Sequence, residues 1–125
     1  MIIKKMTFSL PFPPSINNYY SRSYNGVYIN KRGKDYTDLV LWTMRDKIGF
    51  SFGDSRISVK IDLYAPDKRR RDLDNILKCT LDVMQKLLIY KDDSQIDELM
   101  ISRKSVLTKD GKLDIYIEEI IYPST

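Results

Sequence analysis

The alternation of apolar and polar positions divides the chain into strands and helices. Residues 57–64 carry apolar side chains at the odd positions and polar ones at the even positions, and this period of two is typical of a strand with one buried face. Residues 74–88 place leucine and methionine at steps of three and four, a spacing that predicts an amphipathic helix packed on the sheet. Its apolar stripe comprises Leu73, Leu77, Leu81, Met84 and Leu88.

Weaker patterns predict the other elements. Residues 6–10 suggest a first strand, and loosely spaced apolar residues from about 31 to 48 predict a first helix. Two further strands are expected over about 97–107 and 112–121. We expect them to form a hairpin, because the Asp-Gly pair between them supplies the positive φ angles that such a turn requires.

The predicted order of elements is β-α-β-α-β-β. Residues 11–26, PFPPSINNYYSRSYNG, are rich in proline, asparagine and serine, which disfavours regular structure and predicts a long loop. The fold class is therefore α/β of the α+β type, a mixed sheet with two helices. A chain of 125 residues with 42% hydrophobic content encloses one core, so we expect a single domain over residues 1–125.

Composition narrows the cellular setting. No apolar run reaches the 18 residues of a membrane span, and the first residues, MIIKKMTF, lack the apolar region of a signal peptide. We therefore expect a cytoplasmic protein with no membrane partner. The single cysteine, Cys79, excludes an internal disulfide and a cysteine-rich zinc site, and it is most simply a small core residue.

The absence of histidine excludes more chemistry than any other feature of the composition. Without histidine, serine and cysteine triads, imidazole acid–base catalysis and most transition-metal sites are ruled out. An enzyme with this composition must use carboxylates, lysine, tyrosine or an oxygen-bound metal. The net charge of +4 and a pI near 9.1 favour an anionic partner without specifying it.

One short stretch, KRRRDLDNILK at residues 68–78, concentrates the candidate chemistry. Asp72 and Asp74 lie where the strand at 57–64 has given way to the following helix. Either aspartate could cap that helix, the more common role for a single Asp. Alternatively both coordinate Mg²⁺ or Mn²⁺, which prefer oxygen ligands and could activate a phosphodiester for attack by water. Spacing alone leaves both interpretations open.

The cations of the same stretch also have two interpretations. Lys78 lies four residues after Asp74, so it could form a surface ion pair worth about 0.2–0.5 kcal/mol or stabilise negative charge on a scissile phosphate. The basic block, defined here as Lys68, Arg69, Arg70 and Arg71, could be a solvated turn. It could also bind a phosphate backbone, because guanidinium groups match phosphate oxygens in bidentate geometry.

A further acidic segment, KDDSQID, follows the second helix. Turn formation is the ordinary role of Asp92 and Asp93, since Asp bonds readily to its own backbone. Asp97 closes the segment. Residue pattern alone does not select one of the three for chemistry.

Three motifs together resemble one family. PFPPSINNYY near the start, KRRRDLDNILK in the middle and YKDDSQI about fifteen residues beyond it are similar in order and spacing to the RusA-type Holliday-junction resolvases, small bacterial and phage-encoded endodeoxyribonucleases. The resemblance covers nearly the whole chain. The R-R-R-D-L-D-N-x-x-K block with the following D-D-x-Q is the specific part, whereas the proline-rich segment alone is weak.

The resemblance implies roles for individual residues. Asp72, Asp74 and Asp93 correspond to three acidic metal ligands for Mg²⁺ or Mn²⁺, and Lys78 corresponds to a catalytic lysine. The basic block and the segment from Ser15 to Asn18 correspond to DNA-binding positions. The residues of that segment are Ser15, Ile16, Asn17 and Asn18.

Two positions depart from the family pattern. Lys68 replaces the usual first arginine and loses bidentate binding there. Ile16 stands where a polar residue is common.

The resemblance also implies a partner and an assembly. Branched DNA, foremost the four-way junction, is the expected substrate, and a homodimer is expected because two matched cuts require two identical sites. Two rival interpretations remain: a non-catalytic basic DNA-binding module, and a metal-dependent nuclease that acts on flaps, RNA or linear duplex.

Overall fold

The structure, a computed structural model, describes residues 3–123, without the side chains of Ile16 and Asn17. In chain order its elements are β1 (Lys5–Pro11), α1 (Ile16–Tyr19), β2 (Tyr20–Ser23), β3 (Gly26–Ile29), α2 (Lys31–Thr43), β4 (Arg56–Tyr64), α3 (Leu73–Lys86), a 3₁₀ turn (Asp93–Gln95), β5 (Ile96–Arg103) and β6 (Lys112–Ile120). The principal elements follow the predicted order β-α-β-α-β-β, and the α+β class is confirmed.

A four-stranded mixed sheet forms the base of the fold. Its strand order is β1-β6-β4-β5, with β4 and β5 parallel and the other neighbours antiparallel. The apolar residues at the odd positions of β4 are at most 2% exposed, as the alternation predicted. Buried residues of β1 and β6 share this core, so one face of the sheet carries the helices.

Helix α3 packs on the sheet through a face slightly rotated from the predicted one. Its fully buried residues include Cys79, Val83 and Met84, so the core role expected for Cys79 is confirmed. The leucines of the predicted stripe that lie within the helix are only partly buried. Leu88 was misplaced: the helix ends at Lys86, and Leu88 has a φ of 60° and is 69% exposed.

The predicted long loop at 11–26 is wrong in part. It contains α1 and the beginning of the β2–β3 hairpin. Tyr19 is fully buried and its ring packs edge-on against Tyr36 at 6.2 Å, while its carbonyl accepts a hydrogen bond from the Asn30 backbone at 2.9 Å. These long-range contacts order a segment whose local composition favours turns.

The hairpin predicted between the last two strands is also wrong. Asp110 and Gly111 have the expected positive φ angles of 65° and 69°, but β5 pairs with β4 and β6 lies on the other side of β4. The connection is held at the end of β4, because the Lys104 backbone donates to the Leu63 carbonyl at 2.9 Å. Strand β5 therefore ends at Arg103, earlier than predicted. Helix α2 likewise ends at Thr43.

The helices were also compared with the requirements of a membrane span. Within residues 3–123, no helix has the length and apolar character needed to cross a bilayer.

Candidate active site

The first two acidic candidates stand where the loop after β4 enters α3. Asp72 occupies the N-cap position in extended backbone, with φ −91° and ψ 134°, and its side chain makes no capping hydrogen bond. Asp74 lies in the first turn of the helix, and both residues are exposed. The Asp72 side chain therefore does not cap the helix, although capping is the more common role of a single Asp at this position. Its carboxylate faces solvent and is available to a cation.

The residues of the basic block differ in how far they are held by the protein. Arg71 Nη1 lies 2.9 Å from Asp67 Oδ1, and its guanidinium stacks over the Phe12 ring at 5.1 Å. Only 19% of its side chain is exposed, compared with 81% for Arg69, whose ion pair with Asp67 is longer at 3.6 Å. The bonds from Arg71 and from the Arg69 backbone hold the pKa of Asp67 below its usual value. Arg71 thus shapes the loop rather than extending into solvent.

Lys68 and Arg70 complete the block. Both are exposed. No ion pair of the described residues includes either cation. Since like charges repel at this spacing, a phosphate group would relieve the repulsion that the loop otherwise bears.

Two clefts meet at the end of this loop. One, of about 310 Å³, lies between the proline-rich segment and α3 and includes Ser15 in its wall. The other, of about 440 Å³, lies between the basic block and the segment after β5. Arg70, Arg71 and Asp72 line both clefts. The structure therefore brings Ser15, the block and Asp72 to one place.

The rest of the predicted DNA-binding segment is less defined. Asn18 is exposed, and its backbone N–H donates to the Ser15 carbonyl at 2.9 Å. The side chains of Ile16 and Asn17 lie outside the described residues. The prediction for these three positions stays a prediction.

Arg103 and Lys104 are cations that the sequence analysis missed. Both line the larger cleft together with the basic block. Arg103 Nη2 donates to the Arg71 backbone carbonyl. This bond holds the guanidinium beside the basic block, and its acceptor is a neutral carbonyl instead of a carboxylate. The only sequence signal was an Arg-Lys pair within a predicted strand, and nothing local connects that pair to residues 68–71.

Lys78 has a different partner from the expected one. Its Nζ lies 3.2 Å from Asp82 Oδ2, one turn toward the C-terminus, and 4.6 Å from the centre of the Tyr20 ring. The Tyr20 hydroxyl donates to the same Asp82 oxygen. Burial, with the bond to Asp82, raises the pKa of Tyr20 well above its usual value, so the tyrosine stays a donor. The predicted pairing with Asp74 is therefore wrong, and Tyr20 and Asp82 hold the lysine.

Asp92 forms the turn that its position suggested. It caps the 3₁₀ turn by accepting from the Ser94 backbone at 3.3 Å and from the Ser94 hydroxyl. Gln95 Oε1 in turn accepts a hydrogen bond from the Asp92 backbone N–H at 2.8 Å. These bonds from Ser94 lower the pKa of Asp92. The Asp92 carboxylate is thus engaged in hydrogen bonds within its own turn.

Asp97 belongs to β5, and its carboxylate is also engaged in hydrogen bonds. It accepts hydrogen bonds from the Arg56 guanidinium and, at 2.8 Å, from the Tyr122 hydroxyl. The bond to Arg56 is the main reason that the pKa of Asp97 is lowered.

Asp93 is half-buried and has one buried partner. The hydroxyl of Tyr90, a fully buried residue, lies 2.9 Å from Asp93 Oδ1 and 3.0 Å from the Leu81 carbonyl. Burial, followed by the bond to Asp93, raises the pKa of Tyr90. Tyr90 therefore positions Asp93 beside the second half of α3.

The structure does not bring Asp93 to Asp72 and Asp74 within one chain. Gln95, two residues after Asp93, donates to the carbonyls of Gly53 and Ser55 at 2.7 and 2.9 Å, just before β4 begins. Asp72 follows the end of β4, whose length of nine residues corresponds to about 25 Å between its ends. Across residues 3–123, no group of three or more acidic or cysteine side chains is arranged to hold a metal ion.

The donor chemistry nevertheless fits a hard divalent cation. Asp72 and Asp74 are exposed carboxylates at the start of one helix, and Mg²⁺ and Mn²⁺ bind carboxylate oxygen. Two of the nearby cations are paired with other carboxylates, since Arg71 pairs with Asp67 and Lys78 with Asp82. These two carboxylates can therefore hold such an ion with part of its ligand shell left open.

Comparison with known proteins identifies the family. The family model described as Endodeoxyribonuclease RusA matches residues 11–118. The chain belongs to the RusA endodeoxyribonuclease family. Among its RusA relatives, the crossover junction endodeoxyribonuclease rusA of Enterobacteria phage HK97 is 39% identical over 113 residues, which is 90% of this chain and 93% of the relative.

Two more RusA relatives show the same breadth of similarity. The crossover junction endodeoxyribonuclease rusA of Enterobacteria phage 82 is 34% identical over 116 residues, covering 90% of this chain and 92% of its own. The crossover junction endodeoxyribonuclease RusA of Shigella sonnei is 32% identical over 117 residues, which is 91% of this chain and 94% of the relative. Similarity of this extent spans the basic block, α3 and the 3₁₀ turn that carry the RusA candidate residues.

Proposed function

We propose that residues 1–125 form one RusA-like endonuclease domain that resolves Holliday junctions by paired phosphodiester cleavage in recombination and repair. The observation that carries the proposal is the meeting of the basic block with the uncommitted carboxylate of Asp72 along two clefts. Its relatives are named crossover junction endodeoxyribonucleases. The cytoplasm, where bacterial and phage DNA is found, is the expected site of action.

The residues divide between chemistry and DNA binding. Asp72, Asp74 and Asp93 are the proposed ligands of Mg²⁺, with Mn²⁺ as an alternative, and the bound ion would act as a Lewis acid on the phosphodiester. Lys78 would stabilise the negative charge that develops on the phosphate oxygens or protonate the leaving oxygen. The basic block, with Ser15 to Asn18, would hold the DNA backbone, because phosphate contacts position a strand without reading its sequence.

A cleavage assay tests this function directly. A synthetic four-way junction should be cut in two symmetric positions with Mg²⁺ present and left intact with EDTA. Flap, RNA and linear duplex substrates run in parallel separate a junction resolvase from a nuclease of other specificity. Junction binding without any cleavage in Mg²⁺ or Mn²⁺ would favour the non-catalytic binding module.

The basic block should control the salt dependence of binding. Replacing Arg69 and Arg70 by Ala should weaken binding equally for junctions of different sequence and flatten the slope of log K against log salt by about 0.9 per lost phosphate contact. Arg45→Ala is the matched control, since Arg45 stacks on Trp42 at 4.1 Å and lies outside both clefts. Fluorescence anisotropy over a salt series measures all three slopes. An unchanged slope in the double variant would assign these arginines to a solvated surface.

We also propose that the active form is a homodimer. One chain carries one Asp72–Asp74 pair, so two matched incisions in one junction require a second copy. Sedimentation velocity at assay concentrations should show a species of twice the chain mass of 14.7 kDa, with and without junction DNA. A monomer under both conditions would contradict the proposal.

A further inference from the structure

The β2–β3 hairpin presents an aromatic ring to solvent at its tip. Ser23 pairs with Gly26, which leaves Tyr24 and Asn25 as a two-residue loop. The Asn25 backbone N–H donates to Ser23 Oγ at 3.3 Å, and Gly26 adopts a φ of 122° that favours glycine. Tyr24 is 99% exposed. Its ring therefore makes almost no contact with its own chain, and both faces of the ring are open to a ligand.

The charge of this part of the chain favours an anionic ligand. All 17 acidic residues of the chain lie from Asp35 onward, so the hairpin and everything before it carry no carboxylate side chain. Arg22 lies opposite Val27 in the strand pairing, and both side chains are exposed. Within residues 3–123, no ion pair includes Arg22. An exposed aromatic ring beside an exposed cation is a combination that binds single-stranded nucleic acid.

The hairpin also begins beside the candidate catalytic lysine. Tyr20 is the first residue of β2, and its ring lies 4.6 Å from Lys78 Nζ. At about 3.4 Å per residue, the four steps from Tyr20 to Tyr24 span about 14 Å. Successive nucleotides of one strand are also about 3.4 Å apart along a duplex axis. The tip is therefore about four nucleotides away from a phosphate that contacts Lys78.

A continuous duplex offers little to such a ring. The faces of its bases are covered by the neighbouring base pairs, and a protein side chain stacks only on a base that has lost a neighbour. At the centre of a four-way junction, the continuous stacking of each arm is interrupted. The bases at the branch point therefore offer an aromatic ring a surface that the bases within an arm do not.

We propose that the β2–β3 hairpin recognises the branch point of the junction, with Tyr24 stacked on a base at its centre. The inference rests on the proposed function, since it takes the four-way junction as the substrate. Tyr24 would then distinguish a junction from a duplex, whereas the basic block would hold the phosphates of either.

Binding to two DNA substrates tests the proposal. In EDTA, Tyr24→Ala should weaken binding to a four-way junction about tenfold and leave binding to a linear duplex of the same sequence unchanged. Tyr24→Phe keeps the ring and should bind both substrates as the wild type does. Tyr116→Ala is the matched control, because Tyr116 is 40% exposed and lies on the sheet face opposite the buried residues of β6. Equal junction affinities of wild type and Tyr24→Ala, or an equal loss in Tyr116→Ala, would overturn the inference.

A fluorescent base reports stacking directly. 2-Aminopurine replaces an adenine at the branch point or, in a control junction, an adenine in the middle of one arm. The branch-point signal should differ between the wild-type and Tyr24→Ala complexes and be the same for wild type and Tyr24→Phe. The signal from the arm should be the same for all three proteins. An unchanged branch-point signal in the Tyr24→Ala complex would contradict stacking by this residue.

Two further outcomes separate this inference from the proposed function. A wild-type protein that neither prefers junctions to duplex nor cuts them in Mg²⁺ would overturn the proposed function. A wild type that cuts junctions, beside a Tyr24→Ala variant with the same preference for junctions, would overturn only the role of the hairpin. Sedimentation tests a second copy of the chain as the ligand of the tip. A monomeric Tyr24→Ala variant of a dimeric wild type would place Tyr24 in the subunit interface and overturn the inference.

Discussion

Replacing Asp72 by Asn should abolish cleavage while junction binding survives. The reason is that the proposed ion would lose the charge of one carboxylate ligand, and Lewis-acid assistance of several kcal/mol corresponds to a loss of about 10³-fold or more in rate. Binding is retained because the basic block is untouched. With EDTA present, binding should tighten, since the substitution removes a negative charge near a phosphate, an effect on the order of 1 kcal/mol. Single-turnover cleavage and anisotropy measure the two effects separately, and Asp74→Asn and Asp93→Asn should behave alike.

Folding is not a confounding factor in this experiment. Asp72 makes no capping hydrogen bond, and Asn serves an N-cap about as well as Asp, so the thermal midpoint should change little. Asp92→Asn is the internal control, because Asp92 caps the 3₁₀ turn beside Asp93 and has no proposed ligand role. Wild-type cleavage by Asp72→Asn, or an inactive Asp92→Asn beside an active Asp93→Asn, would show that the acids are wrongly assigned.

Replacing Lys78 by Met should lower the cleavage rate by roughly 10²-fold or more in a folded protein. The ammonium is held by Asp82 and by the Tyr20 ring, and methionine keeps the apolar stem without the charge. If the lysine only formed a surface ion pair, stability would fall by a few tenths of a kcal/mol and cleavage would persist. Single-turnover rates with saturating enzyme distinguish the two outcomes.

Lys86→Met is the matched control for this substitution. Lys86 lies in the last turn of the same helix and is exposed, so its loss should leave cleavage unchanged. Tyr20→Phe removes the hydroxyl that bonds Asp82 and should lower the rate less than Lys78→Met does. Near-normal cleavage by a folded Lys78→Met protein would exclude the catalytic role.

The sequence by itself determined the elements whose pattern is strongly periodic. The alternation in β4 correctly predicted which face of the strand is buried. The three-and-four spacing correctly predicted helix α3, although its buried face is slightly rotated from the leucine stripe and the helix ends at Lys86. The available catalytic chemistry was also evident from composition: without histidine, an enzyme must use carboxylates, lysine, tyrosine or an oxygen-bound metal. The motif around Asp72, together with the two other motifs, indicated the family, which the comparison confirms. The metal-binding role of Asp72 stays a prediction.

Only the tertiary structure decided which distant segments are neighbours. The Asp-Gly turn before β6 predicted a hairpin, but the turn geometry is compatible with more than one strand partner, and β5 pairs instead with β4. In the same way, Lys78 could pair one turn in either direction along α3. The hydroxyl of the partly buried Tyr20, which belongs to a different element, donates to the same Asp82 oxygen that Lys78 contacts. This contact holds Asp82 as the partner of Lys78.

The acidic candidates show the same limit most clearly. The residue pattern left Asp92 and Asp93 equivalent, and only the resemblance selected Asp93. The structure shows that their partners differ, since Asp92 is bonded to Ser94 and Asp93 to Tyr90. Sequence likewise placed Asp93 in one motif set with Asp72, whereas β4 and α3 hold the two residues apart within a chain. A local pattern records the periodicity of one element, but distances between elements depend on strand order, helix length and packing. Those properties are determined by the whole core.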